Sequence, residues 1–369
     1  MKKFMYSAVE KTFESKGYDY NHFYNLMSDL VFNRLENISV REANEEIREY
    51  FLSLFHLTKE DTRSPKLMTR AIRQYTPAMF EVIEEVVEEL LQEGWQKDPF
   101  FMQFVEVRNV ADGDAIEFWV EDDVKIAVHK FAGDHHDITV QTIGGGHAFT
   151  VTGERYVAAV GAHIRSYLLG NVDFSKMISL IYEAFDLKIK ETCYAELADL
   201  GNKLPAGSPF NLAIQFSQAT KDQFDRLLMN VDIVNGGYGV VILGTRVGLK
   251  NLQKFTELEY ISSDMKNELY KTGRLGYYEG TPLIELKQNV KVNSDRTQIT
   301  DLIANDQLII LGVRATDKPI KLVNFGNPYS YEVTQRGDRM DDTMKFEYSE
   351  EFGIITIITE YPGNVKILP

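Results

Sequence analysis

Four consecutive residues, Asp134-His135-His136-Asp137, are the first candidates for chemistry in this sequence, with His129 and His147 nearby. Imidazole and carboxylate groups are ligands for zinc and for non-haem iron. A metal site needs three or four converging ligands, whereas adjacent residues on a strand point to opposite faces. The sequence contains no His-Glu-x-x-His motif and no spaced Cys/His pair. We therefore expect no metal site, and interpret the four residues as a polar hairpin tip or a subunit contact.

Two glycine-rich segments could in principle hold a phosphate. Gly144-Gly145-Gly146-His147 lacks the Lys and the Ser or Thr that a phosphate loop needs. Gly244-Thr245-Arg246-Val247-Gly248 stands between an apolar run and a helical pattern, but it fits neither the Walker pattern nor G-x-G-x-x-G.

The single cysteine, Cys193, lies in a predicted helix, which is a poor place for a nucleophile. We expect no cofactor, no catalytic residue and no enzymatic activity.

The charge balance limits the partners. The chain has 55 acidic and 40 basic residues among 369, a formal net charge of −15. Phosphate backbones and anionic membranes attract clustered Lys and Arg, so this chain is a poor candidate for coating either. One cysteine excludes a disulfide within the chain. No stretch reaches the ~18 apolar residues of a membrane span, and we expect no membrane partner.

The elements that would position these residues begin with a helical region over residues 1–97. Its clearest helix is predicted to start at Thr76 as N-cap, with Pro77 in the first position and Gly94 as the stop. Glutamates cover one side of this helix without any Lys or Arg among them. Just upstream, four basic residues at helical spacing form a stripe: Arg63, Lys66, Arg70 and Arg73. Both faces are interpreted as solvated, or the stripe meets an acidic face of a neighbouring subunit or packaged DNA.

The pattern then changes to period two over residues 98–160, which predicts long β-hairpins with strands such as 116–120 and 124–128. A long hairpin is only marginally stable alone, so it needs a surface to lie on. Asp173 and Gly201 bound a predicted helix roughly 40 Å long.

Residues 208–305 alternate helix and strand. The signals are a capping box at Thr220 and Gln223, a buried strand at 240–243, caps at Thr245 and Ser263, and a strand at 283–286. Residues 306–369 read as β, with runs at 308–313, 320–323, 329–334 and 354–359.

The order of these parts resembles the major capsid proteins of tailed bacteriophages, which have the Hong Kong 97-type fold. Segments Pro99–Asp123 and Gly133–Thr150 look like its extended loop, and Asp173–Leu200 looks like its spine helix. The glycine-rich stretch Gly273–Leu283 looks like a turn and strand of its axial domain, and Asp306–Phe325 looks like the return into its peripheral domain. The resemblance covers roughly residues 97–369.

The resemblance implies an α+β capsid fold in five parts: a helical N-terminal arm (1–97), an extended β-hairpin loop and its base (98–160), a spine helix of the peripheral domain (161–207), an axial α/β domain (208–305) and a peripheral β region (306–369). It implies a structural subunit that self-assembles into hexamers and pentamers around double-stranded DNA. Scaffold, portal and decoration proteins are possible partners. The protein would reside in the virion after assembly in the host cytoplasm. The role of residues 1–95, an elaborated arm or a scaffold-like region, stays open.

The residues we predict as subunit contacts are Arg63, Lys66, Arg70, Arg73, Asp134, His135, His136, Asp137, Arg274, Tyr277 and Tyr278. Three alternatives remain. An encapsulin-type nanocompartment shell shares the same fold and would carry a cargo-binding patch. A metal- or nucleotide-dependent enzyme would use His135 and His136 or the turn at Gly244. A scaffold or accessory head protein should be mostly helical, which the β-rich second half disfavours.

Overall fold

The structure is a computed structural model, and it describes residues 9, 20–36, 38–111, 114, 116–120, 145–203, 208–255, 271, 273–288, 301, 303–313, 318–333, 344–357 and 361–369. Helices dominate the described residues ahead of the first strand: α1 (Tyr20–Val31), α2 (Val40–Leu54), α3 (Pro65–Lys97) and α4 (Pro99–Phe104). Apolar residues at helical spacing turn inward from each of them, and α1 and α2 pack on each other and on a later helix, Phe174–Lys203.

Helix α3 is longer than the sequence predicts. It spans 33 residues and begins at Pro65, so the predicted start at Thr76 is wrong. Thr76 is buried, and its hydroxyl donates to the carbonyl of Ile72 one turn earlier instead of capping a new helix. Pro77 therefore lies inside the helix, and the glutamate-rich half continues the basic half without a break. Gly94 is not the stop either, because the helix continues to Lys97.

A four-stranded sheet lies beside these helices, in the order β1, β10, β11, β4. Its strands are β1 (Val105–Val110), β4 (Glu154–Ala162), β10 (Ile320–Val333) and β11 (Met344–Thr356). β1 pairs in parallel with β10, and β11 runs antiparallel to both of its neighbours. The predicted run at 320–323 and residues 329–333 of the next run belong to one strand, β10, whose pairing is interrupted between Phe325 and Tyr329. The predicted run at 354–359 begins in the longer strand β11, which ends at Thr356, and residues 334, 358 and 359 lie outside the described residues.

The long helix α6 (Phe174–Lys203) braces both sheets. It packs against α3 and β11 and also against two strands of the second sheet. The prediction of this helix is confirmed, except that it continues past Gly201 to Lys203. A short helix, α5 (Ile164–Leu168), precedes it. The largest core cluster is formed by α1–α4 and α6 with one face of each sheet.

The second sheet has six strands in the order β5, β12, β9, β6, β8, β7. They are β5 (Asn211–Ile214), β6 (Val240–Gly244), β7 (Tyr277–Tyr278), β8 (Thr281–Glu285), β9 (Gln307–Gly312) and β12 (Gly363–Ile367). Helices α7 (Lys221–Val234) and α8 (Arg246–Lys250) cover one face. Strands β9 and β12 belong to this sheet, so the predicted domain boundary at residue 306 does not coincide with a boundary between sheets.

The caps of the second sheet's helices are partly as predicted. Thr245 caps α8, because its hydroxyl accepts from the Gly248 amide at 3.2 Å. The predicted box of Thr220 with Gln223 is wrong, since Thr220 pairs with Ser217 across a preceding 3-10 turn and makes no side-chain cap to α7. The buried strand at 240–243 is confirmed as β6. The predicted cap at Ser263 and the predicted strand at 124–128 lie outside the described residues.

Candidate assembly surface

The basic stripe is exposed on the structure. Lys66, Arg70 and Arg73 lie on one side of α3, and Arg63 ends the 3-10 turn before it. Within the part of the chain that the structure describes, none of the four forms an ion pair with a carboxylate. Two other cations of the helical region, Arg34 and Lys97, both pair with Glu93. The stripe therefore presents positive charge to solvent on an acidic molecule.

The acidic side of α3 behaves differently, and the interpretation of it as a solvated face is wrong at Glu93. The carboxylate of Glu93 accepts hydrogen bonds from Tyr24 and Ser28 of α1, both at 2.7 Å, and from Arg34 at 2.8 Å. Burial raises the pKa of Glu93, but the hydrogen bonds from Lys97, Arg34, Ser28 and Tyr24 outweigh burial and lower it to about 2. This part of the acidic face is thus an internal contact with α1.

A separate two-stranded hairpin, β2 (Glu117–Val120) and β3 (His147–Thr150), lies at the base of the predicted extended loop. Phe118 faces inward onto the four-stranded sheet, beneath the guanidinium of Arg108 and near the ammonium of Lys321. Trp119 points to the opposite face of the strand and is 63% exposed. Gly146 has φ +78°, and a Cβ there would lie 2.4 Å from the Val120 carbonyl oxygen, so only glycine fits this approach.

The glycine-rich turn that leads into β8 includes the two adjacent tyrosines of β7, which differ in exposure. Tyr278 is 2% exposed, and its hydroxyl donates to Asp225 of α7 at 2.7 Å. Tyr277 is 61% exposed and is available for contact with another molecule. Arg274 fixes the turn from within, because its Nε donates to Glu285 at 2.8 Å and its Nη1 donates to the carbonyls of Leu275 and Leu283. The role of these three residues in subunit contacts stays a prediction, and Tyr277 is the one whose side chain is exposed.

The turn at Gly244 is built for packing. A Cβ on Gly244 would lie 2.5 Å from the Leu308 side chain, and one on Gly248 would lie 3.2 Å from the Asn305 carbonyl oxygen. Both glycines therefore allow β9 and its approach loop to sit close to α8.

Cys193 is fully buried in α6, and burial raises the pKa of its thiol far above the ordinary value. A protonated, inaccessible thiol is a core group and a poor nucleophile.

Residues Asp134, His135, His136 and Asp137 lie outside the described residues, so their role as a hairpin tip or contact stays a prediction. Among the residues that are described, no group of three or more His, Cys, Asp or Glu could hold a metal ion. None of the described helices is long and apolar enough to cross a membrane.

Sequence reasoning did not single out two charged residues that the four-stranded sheet buries. Lys321 is 4% exposed, and its Nζ lies 2.5 Å from Glu106 Oε2 on the neighbouring strand β1. Glu350 on β11 is also buried. The sequence pattern could have indicated that both are buried. Lys321 interrupts the apolar run of β10, and Glu350 lies two residues after Tyr348, on the same face of a strand. Neither feature stands out among 95 charged residues.

Comparison with protein families gives one match over most of the chain. A model of the family YonB, described as an SPbeta prophage-derived putative capsid protein, matches residues 22–366. A search of curated proteins by similarity gives no match.

Solved structures show a likeness in fold. The mature capsid of bacteriophage PhiM1 is 11% identical and aligns with a TM-score of 0.50 over 74% of this chain and 88% of that chain. The capsid of Cyanophage P-SCSP1u is 11% identical over 73% of this chain and 88% of that one, with a TM-score of 0.47. Microbacterium phage Oxtober96 is 13% identical over 74% and 91%, with a TM-score of 0.46.

Proposed function

Because the chain belongs to the YonB family of prophage-derived capsid proteins, with the Hong Kong 97-type capsid fold, we propose that it assembles into hexamers and pentamers that close into an icosahedral shell around double-stranded DNA. The family and the fold are those of a structural phage shell protein. The icosahedral geometry of the shell, the DNA inside it and its assembly in the host cytoplasm are parts of our proposal.

The observation that carries the proposal is the exposed outer face of the β2–β3 hairpin. Among the described residues, β2 and β3 pair with neither larger sheet, and a two-stranded hairpin is marginally stable alone. Phe118 anchors its inner face, whereas Trp119 leaves a large aromatic surface in solvent on the outer face. Aromatic side chains of this kind are typical anchors of protein interfaces. A neighbouring copy of the chain would cover Trp119 and stabilise the hairpin.

The predicted contacts fit the same assembly. The stripe of Arg63, Lys66, Arg70 and Arg73 is exposed and positive on a chain of net charge −15, so an acidic surface of a second copy complements it. Tyr277 is exposed on β7, beside β8, and would contact another subunit. Scaffold, portal and decoration proteins would bind the assembled shell, and the enclosed DNA would be held without sequence-specific contacts.

The first test is to express the full chain and examine the soluble fraction by negative-stain electron microscopy and sedimentation velocity. We expect closed shells, tubes or ring-shaped hexamers. Trp119→Ser should reduce assembly while circular dichroism stays unchanged. Met102→Ser removes a similarly exposed apolar side chain on α4 and serves as the matched control. A protein that stays monomeric under every assembly-promoting condition, with the phage's other head proteins present, would overturn the proposal.

The content of the particles separates this function from the encapsulin alternative, which shares the fold. Particles recovered from induced phage-producing cells should contain DNA that resists nuclease. Shells that contain a co-purified protein and no protected DNA would indicate a nanocompartment instead. Near-stoichiometric metal in a non-assembling protein would favour the enzyme alternative.

A further inference from the structure

A buried carboxyl group lies on the four-stranded sheet, on the face that α3 and α6 cover. Glu350 on β11 is 6% exposed, and its Oε2 has no hydrogen-bond partner among the described residues. Side chains two residues apart on a strand point the same way, so Glu350 shares its face with Tyr348 and Phe352. Both of those rings are buried in the main core. The carboxyl group therefore lies in packed, largely apolar surroundings.

The groups that face this carboxyl from α3 are themselves acidic. Glu88 is the helix residue whose charge acts on Glu350. Glu84, Glu85 and Glu88 all act on the hydroxyl of Tyr348, which has no hydrogen-bond partner in the described part of the chain. One face of β11 thus brings a carboxyl group against a helix that carries further carboxylates. Like charges at such a contact repel each other when all are ionised.

The other elements beside Glu350 supply no described cation to neutralise it. On β4, Tyr156 stands opposite Glu350 and donates to Glu154 at 2.8 Å. On α6, Lys188 lies 5.7 Å from the centre of the Tyr156 ring and pairs with Glu191 at 3.2 Å. On β10, the pairing with β11 is interrupted opposite Glu350, between Phe325 and Tyr329.

The protonated, neutral form of the Glu350 carboxyl group fits these surroundings best. An unpaired ionised carboxylate is costly to bury, so the group must be paired, neutral or bound to a metal. The described acidic residues form no cluster that could hold a metal ion. Burial, followed by the charge of Glu88, raises the pKa of Glu350 from 4.5 to about 7.

We propose that Glu350 is a pH-sensitive group on the sheet face that α3 covers, neutral while the helix is packed on the sheet, and that loss of its proton to water weakens this packing. Glu350 would act within the folded subunit, so this role is separate from the shell function. It can be measured on the folded chain whether or not particles form.

The direction of the effect follows from the raised pKa. A carboxyl that binds its proton more tightly when folded stabilises the fold fully below its ordinary pKa. That stabilisation is lost as the pH rises from about 4.5 to about 7, and no further loss follows above that range. The packing of α3 on the sheet should therefore be firmer at pH 5 than at pH 8.

Thermal unfolding of the full chain tests this with a matched pair of variants. Glu350→Gln keeps the shape of the side chain and removes the titration. Between pH 5 and pH 8, the Tm of the wild type should fall by on the order of 5 °C more than the Tm of Glu350→Gln. Glu347→Gln makes the same change on the same strand at a partly exposed side chain on the other face, and it should follow the wild type. Equal pH responses of the wild type and Glu350→Gln would overturn the proposal.

Hydrogen exchange of the wild type gives a second, independent result, which decides the matter if Glu350→Gln does not fold. After correction for intrinsic rates, amides of α3 between Val82 and Leu91 should exchange several-fold faster at pH 8 than at pH 6. Amides of α7 between Phe224 and Val231 lie under the other sheet and should show no such change. Protection of α3 that is independent of pH would overturn the proposal.

Discussion

The two sheets of this protein bury different kinds of side chain. The six-stranded sheet presents Val241, Leu243, Ile309 and Leu311 to the main core on one face. Its other face packs under α7 and α8 in a second apolar cluster. The four-stranded sheet encloses charged residues instead: Lys321 on one face and Glu350 on the other.

This difference predicts that the stability of the four-stranded sheet depends more strongly on pH. Apolar packing has no titratable group, so it responds to temperature and to cavities but hardly to pH. A buried ionisable group couples the stability of its surroundings to protonation and to the loss of its partner. The helices α3 and α6 and the β2–β3 hairpin all pack on the four-stranded sheet, so any change in that sheet reaches the surfaces that we assign to assembly.

The largest effect should come from the apolar unit. Phe224 of α7 is fully buried among the rings of Phe216, Phe255 and Tyr278. Phe224→Ala should lower the free energy of unfolding by about 3–5 kcal/mol, because it leaves a cavity that these rings cannot fill. Chemical denaturation measures the loss. Arg226→Ala, on the exposed side of the same helix, should change it by less than about 0.5 kcal/mol. A small loss for Phe224→Ala would mean that this core is loosely packed.

A smaller but pH-dependent effect is expected in the four-stranded sheet. Lys321→Met removes the cation that contacts Glu106 and should cost about 1–3 kcal/mol. Lys366→Met, exposed on β12, should cost almost nothing. The double variant Glu106→Gln with Lys321→Met should recover part of the loss, since no carboxylate is then left half-buried without Lys321.

Acid titration sharpens the same comparison. Burial raises the pKa of Glu106, but the hydrogen bonds from Lys321 and Arg108 outweigh burial and lower it below the ordinary 4.5. A lowered pKa contributes stability above about pH 4.5 that is lost as the pH falls further. The wild type should therefore lose more stability than Lys321→Met between pH 5 and pH 3, as followed by Tm. Parallel curves for the two proteins would contradict this assignment.

Tyr278→Phe should have a moderate effect inside the six-stranded unit. The change removes the hydrogen bond to Asp225 and keeps the ring, so we expect a loss of about 1 kcal/mol in the free energy of unfolding. Tyr277→Phe changes a hydroxyl on the exposed neighbour and should leave stability unaltered. Denaturant midpoints of the two variants provide the comparison. Equal losses would mean that the contact with Asp225 adds nothing to stability.

The smallest effect on folding should come from the basic stripe. Replacing Lys66, Arg70 and Arg73 together by Glu should change the free energy of unfolding by less than about 1 kcal/mol, because the side chains are exposed. Assembly measured by sedimentation should nevertheless fall, and most strongly at low salt. The same reversal at Lys176, Arg226 and Lys254, which are exposed elsewhere, gives an equal change in net charge. Equal assembly by both triple variants would exclude the stripe from the subunit contact.

The spacing of apolar residues predicted those elements in which one apolar pattern runs without interruption. Helix α6 and strand β6 appear as expected, because a long apolar stripe and a short apolar run leave few alternatives. The same rules placed the start of α3 at Thr76 and Pro77, since a threonine before a proline usually opens a helix. The apolar positions Met68 and Ile72 on the preceding turns are buried in the core, and that tertiary packing carries the helix through Pro77.

Long-range pairing lay beyond sequence reasoning. β1 and β10 pair in parallel, with Lys321 bonded to Glu106 across 215 positions of sequence, and no local pattern indicates such a partner. The buried state of Glu350 depends on the packing of α3 and α6 on the four-stranded sheet, so it too follows only from the fold. The basic stripe, by contrast, was predicted from spacing alone, because an exposed helical face needs no distant partner.

The position of β12 within its sheet has a consequence for synthesis on the ribosome. β12 lies between β5 and β9, and its Asn364 bonds to Asn211, 153 residues earlier. At a translation rate of roughly 5–20 residues per second, β5 would wait roughly 8–30 s for this neighbour. During that interval the edge of β5 that β12 later covers is open, and so is the edge of β9 once β9 has been synthesised. An open edge is a template for pairing with other chains. Nascent subunits emerging close together on one messenger RNA are therefore at risk of pairing with each other before the sheet is complete.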